Sequence, residues 1–200
     1  HKIAAVTRDG GLQWTINLDR PAGRPTLAGD GKTAVFTDGR DKLIAFDYQS
    51  FGATAWETTI AADGLIKLST AARGSDGTYY VAAGRELVAV GPDGAVKWQT
   101  NAGSADPLFG EPVIDGGGSV VVAGTVAAPN LGNRYWALFR FDTGGTLVET
   151  VQAPETHLHP DSFSLKGLTA LKGGGAVTMA TQGELILWRP TGDADVLEGF

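Results

Sequence analysis

The 200-residue chain contains no cysteine. This excludes disulfide staples, thiolate metal centres and a cysteine nucleophile. It leaves the compartment open, because many exported proteins also lack the residue. Basic runs are missing too: 16 Lys and Arg are scattered against 22 Asp and Glu, for a net charge of −6. Nucleic acid is thereby excluded as a partner, since phosphate backbones need clustered positive charge. No apolar run approaches the length of a membrane span, so membrane insertion is not expected. No charged-then-apolar leader opens the chain, which begins strand-like as "HKIAAV"; either a leader has been removed or the start is a boundary. Helical periodicity is almost absent.

What is present is glycine, 29 residues of it, clustered with Asp, Asn and Ser as turn punctuation between short elements. Hydrophobic content of 42% and charged content of 19% are those of a globular protein. The length is enough to bury a core.

A repeat organises the chain. Trp14, Trp56 and Trp98 end three similar segments, "GLQW", "ATAW" and "AVKW". Residues 1–14 lie without gaps over 85–98, and 43–56 match with two extra residues in the turn. Each unit is an apolar strand, a Gly/Asp turn and a strand ending in Trp, which is a hairpin signature. A further strand pair precedes each hairpin, with inner strands expected at Pro25–Ala28, Ile66–Ser69, Pro112–Ile114 and Leu168–Leu171. Strands such as "SVVVAG" are apolar on both faces, as expected where a sheet lies between two others. Four-stranded antiparallel sheets stacked at a constant period describe an all-β propeller. About five units are visible in one domain, at 1–18 (partial), 21–60, 61–101, 106–152 and 163–200. In this reading Trp14, Trp56 and Trp98 are structural: each fills the gap between neighbouring blades near the rim. Glu149 and Val196 take the Trp place in the fourth and fifth units. The extra length of those units falls in "NAGSADPLFGEP" and "AAPNLGNRYW", expected to be grown loops of the kind that carry binding.

The units "LIAFDYQSFGATAW", "LVAVGPDGAVKW" and "FRFDTGGTLV" resemble the quinoprotein-like repeat of pyrroloquinoline quinone propellers. The resemblance covers essentially the whole chain. It implies either a dehydrogenase holding the quinone and calcium centrally, or a cofactor-free propeller of the outer-membrane assembly type. The chain is short for an eight-bladed enzyme, has no vicinal cysteine pair, and offers no assignable set of central Glu, Asn and Asp ligands. No catalytic or cofactor-binding residue is therefore carried over. The first unit lacks two inner strands, so the chain reads as a five-bladed ring with one degenerate blade or as part of a ring of six to eight. The second is favoured, because an open blade edge leaves backbone groups unpaired.

One stretch invites chemistry. In "PETHLHPDSF", an extended backbone would put Glu155, His157, His159 and Asp161 on one side, a donor set for Zn²⁺ or another divalent metal. The alternative is a polar inter-blade loop ended by Pro160. "DGGG" at 115–118 and "KGGGA" at 172–176 lack the helix and Lys-Ser/Thr ending of a phosphate loop and read as hairpin turns. No Ser-His-Asp order converges from separate elements. The expected function is non-catalytic binding or scaffolding, with loops presented to a protein or peptide. The alternatives are a fragment of a quinone-dependent oxidoreductase and a small carbohydrate-binding propeller. No cofactor is expected beyond the possible divalent metal, and the expected location is extracytoplasmic, periplasmic or secreted.

Overall fold

The computed structural model describes residues 1–19, 22–60, 68–102, 108–127, 133–153, 159–160, 165–171, 174–180, 184–189 and 191–197. Every regular element among them is a strand, and the strands form five antiparallel sheets. The first sheet pairs β1 (Lys2–Val6) with β2 (Leu12–Asn17). The second is β3 (Thr26–Leu27), β4 (Thr33–Thr37), β5 (Lys42–Asp47) and β6 (Ala53–Thr59), in sequence order from inner to outer. The third repeats that order with β7 (Ala72–Arg73), β8 (Tyr79–Ala83), β9 (Glu86–Val90) and β10 (Val96–Thr100). The fourth has β11 (Leu108–Ile114), β12 (Val120–Ala127), β13 (Asn133–Phe141) and β14 (Leu147–Gln152), with β15 (His159–Pro160) added against β13. The fifth has β16 (Leu165–Ala170), β17 (Ala176–Ala180), β18 (Leu185–Trp188) and β19 (Ala194–Leu197). This is a meander of β-propeller blades.

The two-sided apolar strands explain how the blades stack. On β4 and β5, Ala34, Phe36 and Phe46 pack toward the first blade, while Val35, Leu43 and Ala45 pack toward the third. On β8 and β9, Tyr79, Val81 and Val88 turn to the second blade, and Tyr80, Leu87 and Ala89 to the fourth. Trp136 and Leu138 of β13 meet Ile186 and Trp188 of β18. Four core clusters thus join five blades in a row; among the described residues no cluster joins the fifth blade to the first.

Two expectations concern the inner strands and the grown loops. Of the third inner strand, expected at Ile66–Ser69, Ile66 and Lys67 lie outside the described residues; Leu68 bridges to Ala83, and ladder pairing is regular at Ala72–Arg73. Between these pairings the Ser69 N–H donates to the Ala82 carbonyl and its Oγ accepts the Ala82 N–H, both at 2.9 Å, so the hydroxyl stands in for a backbone acceptor. Second, much of the expected loop length in the fourth unit is strand. Leu108–Ile114 and Asn133–Phe141 are β11 and β13, so the middle hairpin of that blade, with β12 of 8 residues and β13 of 9, is longer than its counterparts.

Candidate functional site

The strand order gives the row two faces. One carries the turns after the first and third strand of each blade; the other carries the middle hairpin turns and the connections between blades. The first is regular. The outer turns of the first, third, fourth and fifth blades repeat one hydrogen-bonded form: Gly10 N to Thr7 O at 3.0 Å, Gly94 N to Gly91 O at 3.0 Å, Gly145 N to Asp142 O at 3.1 Å and Gly192 N to Arg189 O at 3.2 Å. The four glycines have φ between 86° and 88°, in the left-handed region that disfavours other residues. An aspartate often closes the turn. Asp30 accepts the Thr33 hydroxyl at 2.6 Å and the Lys32 and Thr33 N–H groups, and these bonds hold its carboxyl at about 2. The Thr78 hydroxyl and N–H, with the Lys97 ammonium, do the same for Asp76, also at about 2.

The three repeated tryptophans meet this face at the blade boundaries. A β-bulge before each of them, between Ala5 and Val6, Ala45 and Phe46, and Val96 and Trp98, sets its register. The ring then lies over the glycine of the next blade's outer turn. A methyl group on Gly52 would come within 3.3 Å of Trp14, one on Gly94 within 2.9 Å of Trp56, and one on Gly145 within 2.8 Å of Trp98. Each indole N–H donates to a carbonyl of that same turn: Trp14 to Tyr48, Trp56 to Pro92 and Trp98 to Thr143, all at 2.9 Å. In the fourth blade Glu149 holds the place and pairs with Arg140 at 3.2 Å. Arg140 also meets Asp115 at 3.3 Å and donates to the Gly174 carbonyl of the fifth blade at 2.7 Å. An ion network thereby stands where the others have an indole. The fifth hairpin has no bulge, so Asp195, not Val196, faces Leu187 in the Trp place.

The opposite face departs from the repeat. Where the inner strands converge, Arg24 meets Glu111 at 2.6 Å and the Thr70 hydroxyl donates to the other Glu111 oxygen at 3.0 Å. These three side chains tie the second, third and fourth blades. Between the first and second blades a cleft of about 400 Å³ is lined by Asn17, Asp19, Asp38, Arg40, Asp41 and Glu57, among others. Lys42 at its edge pairs with Glu57 at 2.5 Å, a bond that raises the lysine's proton affinity. In the fourth blade the long hairpin projects on this face, to Ala127 paired with Arg134, and β15 extends it by pairing His159 with Arg134 and Pro160 with Asn133.

Of the candidate metal ligands, Glu155, His157 and Asp161 lie outside the described residues, and His159 is described only through its backbone pairing in β15. Among the described residues no three His, Asp or Glu side chains converge as a metal site. Tyr135 and Trp136, on opposite faces of β13, are both buried in the core. Sequence reasoning missed Arg24, Thr70 and Glu111. They are far apart in the chain and carry no local motif; only the convergence of inner strands joins them.

Comparison with known proteins decides the family. A family profile, that of outer membrane protein assembly factor BamB, matches residues 1–73 and again residues 52–195. The chain belongs to that family. The BamB-type repeat fits the blades described above, including the hairpins that carry Trp14, Trp56 and Trp98. No curated protein matches the chain. Among solved structures it is similar to a catalytically inactive variant of virginiamycin B lyase from Staphylococcus aureus with quinupristin, at TM-score 0.74 and 12% identity over 99% of this chain and 63% of that one. It is also similar to a protein of unknown function from Bacteroides caccae, at TM-score 0.61 and 13% identity over 79% of this chain and 54% of that one. The chain therefore spans less than two thirds of the length of either structure. At these identities the likeness is one of fold. Among the described residues no helix is long and apolar enough to cross a membrane.

Proposed function

We propose that this BamB-family propeller is a non-catalytic binding or scaffolding module that presents its connection face to a protein or extended peptide. The observation that carries the reading is the asymmetry of the two faces. The turn face keeps the repeat closely, while the connection face carries the lengthened β12–β13 hairpin, the added strand β15 and the charged cleft. A strand already added to the edge of β13 is the geometry by which extended peptides join sheets. The family profile named for an outer-membrane assembly factor supports the same reading, together with a location outside the cytoplasm. The described inner-strand cluster does not fit a quinone–calcium centre. Its one carboxylate, Glu111, is already paired with Arg24, whereas calcium takes six to eight oxygens.

Photo-crosslinkers placed at Ala127 in the projecting hairpin and at Gly116 on the turn face test the reading in the producing cell. We expect the same protein to be trapped from Ala127 and not from Gly116. Trapping from Gly116 alone, or a quinone retained in the native mass spectrum, would refute it.

A further inference from the structure

On the turn face the outer turn of the second blade leaves the repeat. It runs through residues 48–52 between the paired Asp47 and Ala53, two residues longer than the stretch between the hydrogen-bonded Gly91 and Ala95. In place of Pro92–Gly94 or Thr143–Gly145 it carries Tyr48, Gln49, Ser50 and Phe51 ahead of Gly52. The turn is held from within. The Asp47 carboxylate accepts the Gln49 and Ser50 N–H groups at 2.8 and 3.0 Å and the Ser50 hydroxyl at 2.9 Å. Gln49 Nε2 donates to the Gly31 carbonyl at 2.9 Å, and Tyr48 packs on the core between the first two blades. Phe51 does not share in this. It is 81% exposed and stands at φ 54°, the only non-glycine residue at positive φ among the described residues. A bulky side chain is strained there, and this one gains little burial in return. Glycine would relieve the strain, so folding alone does not call for a phenylalanine. Strain of this kind gathers at ligand clamps.

Phe51 lines a pocket of about 450 Å³ together with Gln13, Trp14, Tyr48 and Gln49. Three aromatic rings and two carboxamides make up this lining, and among the described residues no ionised side chain belongs to it. The Trp14 N–H is already spent on the Tyr48 carbonyl, so the indole offers the pocket its carbon surface. The glutamine amides and the Tyr48 hydroxyl can donate and accept. A matching ligand has C–H faces for the rings and neutral hydroxyl or amide groups for the glutamines. A charged ligand would leave water without a counter-charge. The volume is that of a small-molecule site. We propose that Trp14 and the Tyr48–Phe51 turn form a binding site for a short neutral saccharide, with sugar C–H faces against the rings and hydroxyls on Gln13 and Gln49. The site is single. The turns that meet Trp56 and Trp98 carry no aromatic residue, so this is not the repeated pocket of a carbohydrate-binding propeller. It lies on the face opposite to the docking surface proposed above and does not rest on that reading.

The test titrates cellobiose, diacetylchitobiose and choline into the protein made from its complete gene and into its Phe51→Gly and Gln13→Ala variants, and follows saturation transfer by NMR alongside thermal unfolding. We expect transfer to the ring C–H protons of at least one disaccharide. Phe51→Gly should weaken that binding about tenfold or more, while its Tm stays the same or rises because the φ strain is gone. Gln13→Ala, an exposed change, should weaken binding with Tm unmoved. Transfer to neither disaccharide overturns the proposal, as does a Kd that Phe51→Gly leaves unchanged. A Tm that falls in Phe51→Gly would make the ring a packing residue and also overturn it. Choline bound more tightly than either disaccharide would make the rings a cation cage and overturn it too. Crosslinking from Ala127 should be the same in all three proteins, so the connection-face reading stands or falls separately.

Discussion

At the scale of single residues, the tryptophans act through two separable contacts, a stacked plate and one N–H bond. Trp98→Phe keeps most of the plate over Gly145 and loses the bond to Thr143, so it should cost roughly 1 kcal/mol in urea unfolding. Trp98→Ala also removes the plate and should cost about 3 kcal/mol. Equal losses would mean that the stacking over the glycine contributes nothing. The turn aspartates carry a pH signature. Asp30 and Asp76 are lowered from 3.8 to about 2 in the folded state. A lowered folded value stabilises above the unfolded one, so this contribution is full above about 3.8 and is lost as pH falls toward 2. Both carboxyls face solvent, which keeps the stability term small. The titration itself is measurable: Thr33→Val should move the Asp30 midpoint in carbon NMR up toward 3.8, and an unmoved midpoint would show that the hydroxyl is not the cause. The His157 and His159 pair carries a sequence-level expectation. Double replacement by alanine should abolish stoichiometric divalent metal uptake, and unchanged uptake would remove the site.

At the scale of elements, the boundary between the fourth and fifth blades replaces an indole with charge. The Asp115 side chain is 4% exposed and depends on Arg140 and on the N–H groups of Gly117 and Ser119 at 2.9 Å. Arg140→Leu leaves that carboxylate buried without its cation and should cost about 3 kcal/mol. Adding Asp115→Asn should recover part of the loss, because a neutral amide needs no counter-charge. Strictly additive losses in the double-mutant cycle would mean the two groups do not interact. The hairpins themselves were legible in the sequence because turn glycines and alternating apolar residues are local signals. The bulge missing from the fifth hairpin was not. Counting from the turn puts Val196 in the Trp place, but the register is decided by pairing against β18, which brings Asp195 there.

At the scale of the whole molecule, blades touch chiefly their neighbours, so stability is distributed as in other stacked repeats. The third blade is covered on both faces: every residue of β8 is buried, whereas β1 alternates exposed and half-buried residues. Amide hydrogen exchange should therefore be slowest in β8 and β9 and much faster in β1 and β2. Uniform protection across the five blades would contradict this stacking account.

The sequence by itself determined the all-β class, the repeat, the hairpins and the tryptophan of the first three outer strands. These depend on local periodicity and turn chemistry, which a single unit contains. The tertiary structure decided which carbonyl each indole meets and that Arg24, Thr70 and Glu111 converge. It also decided which face of the row departs from the repeat. Each of these depends on how one blade sits against the next, and no segment of the chain carries that geometry alone.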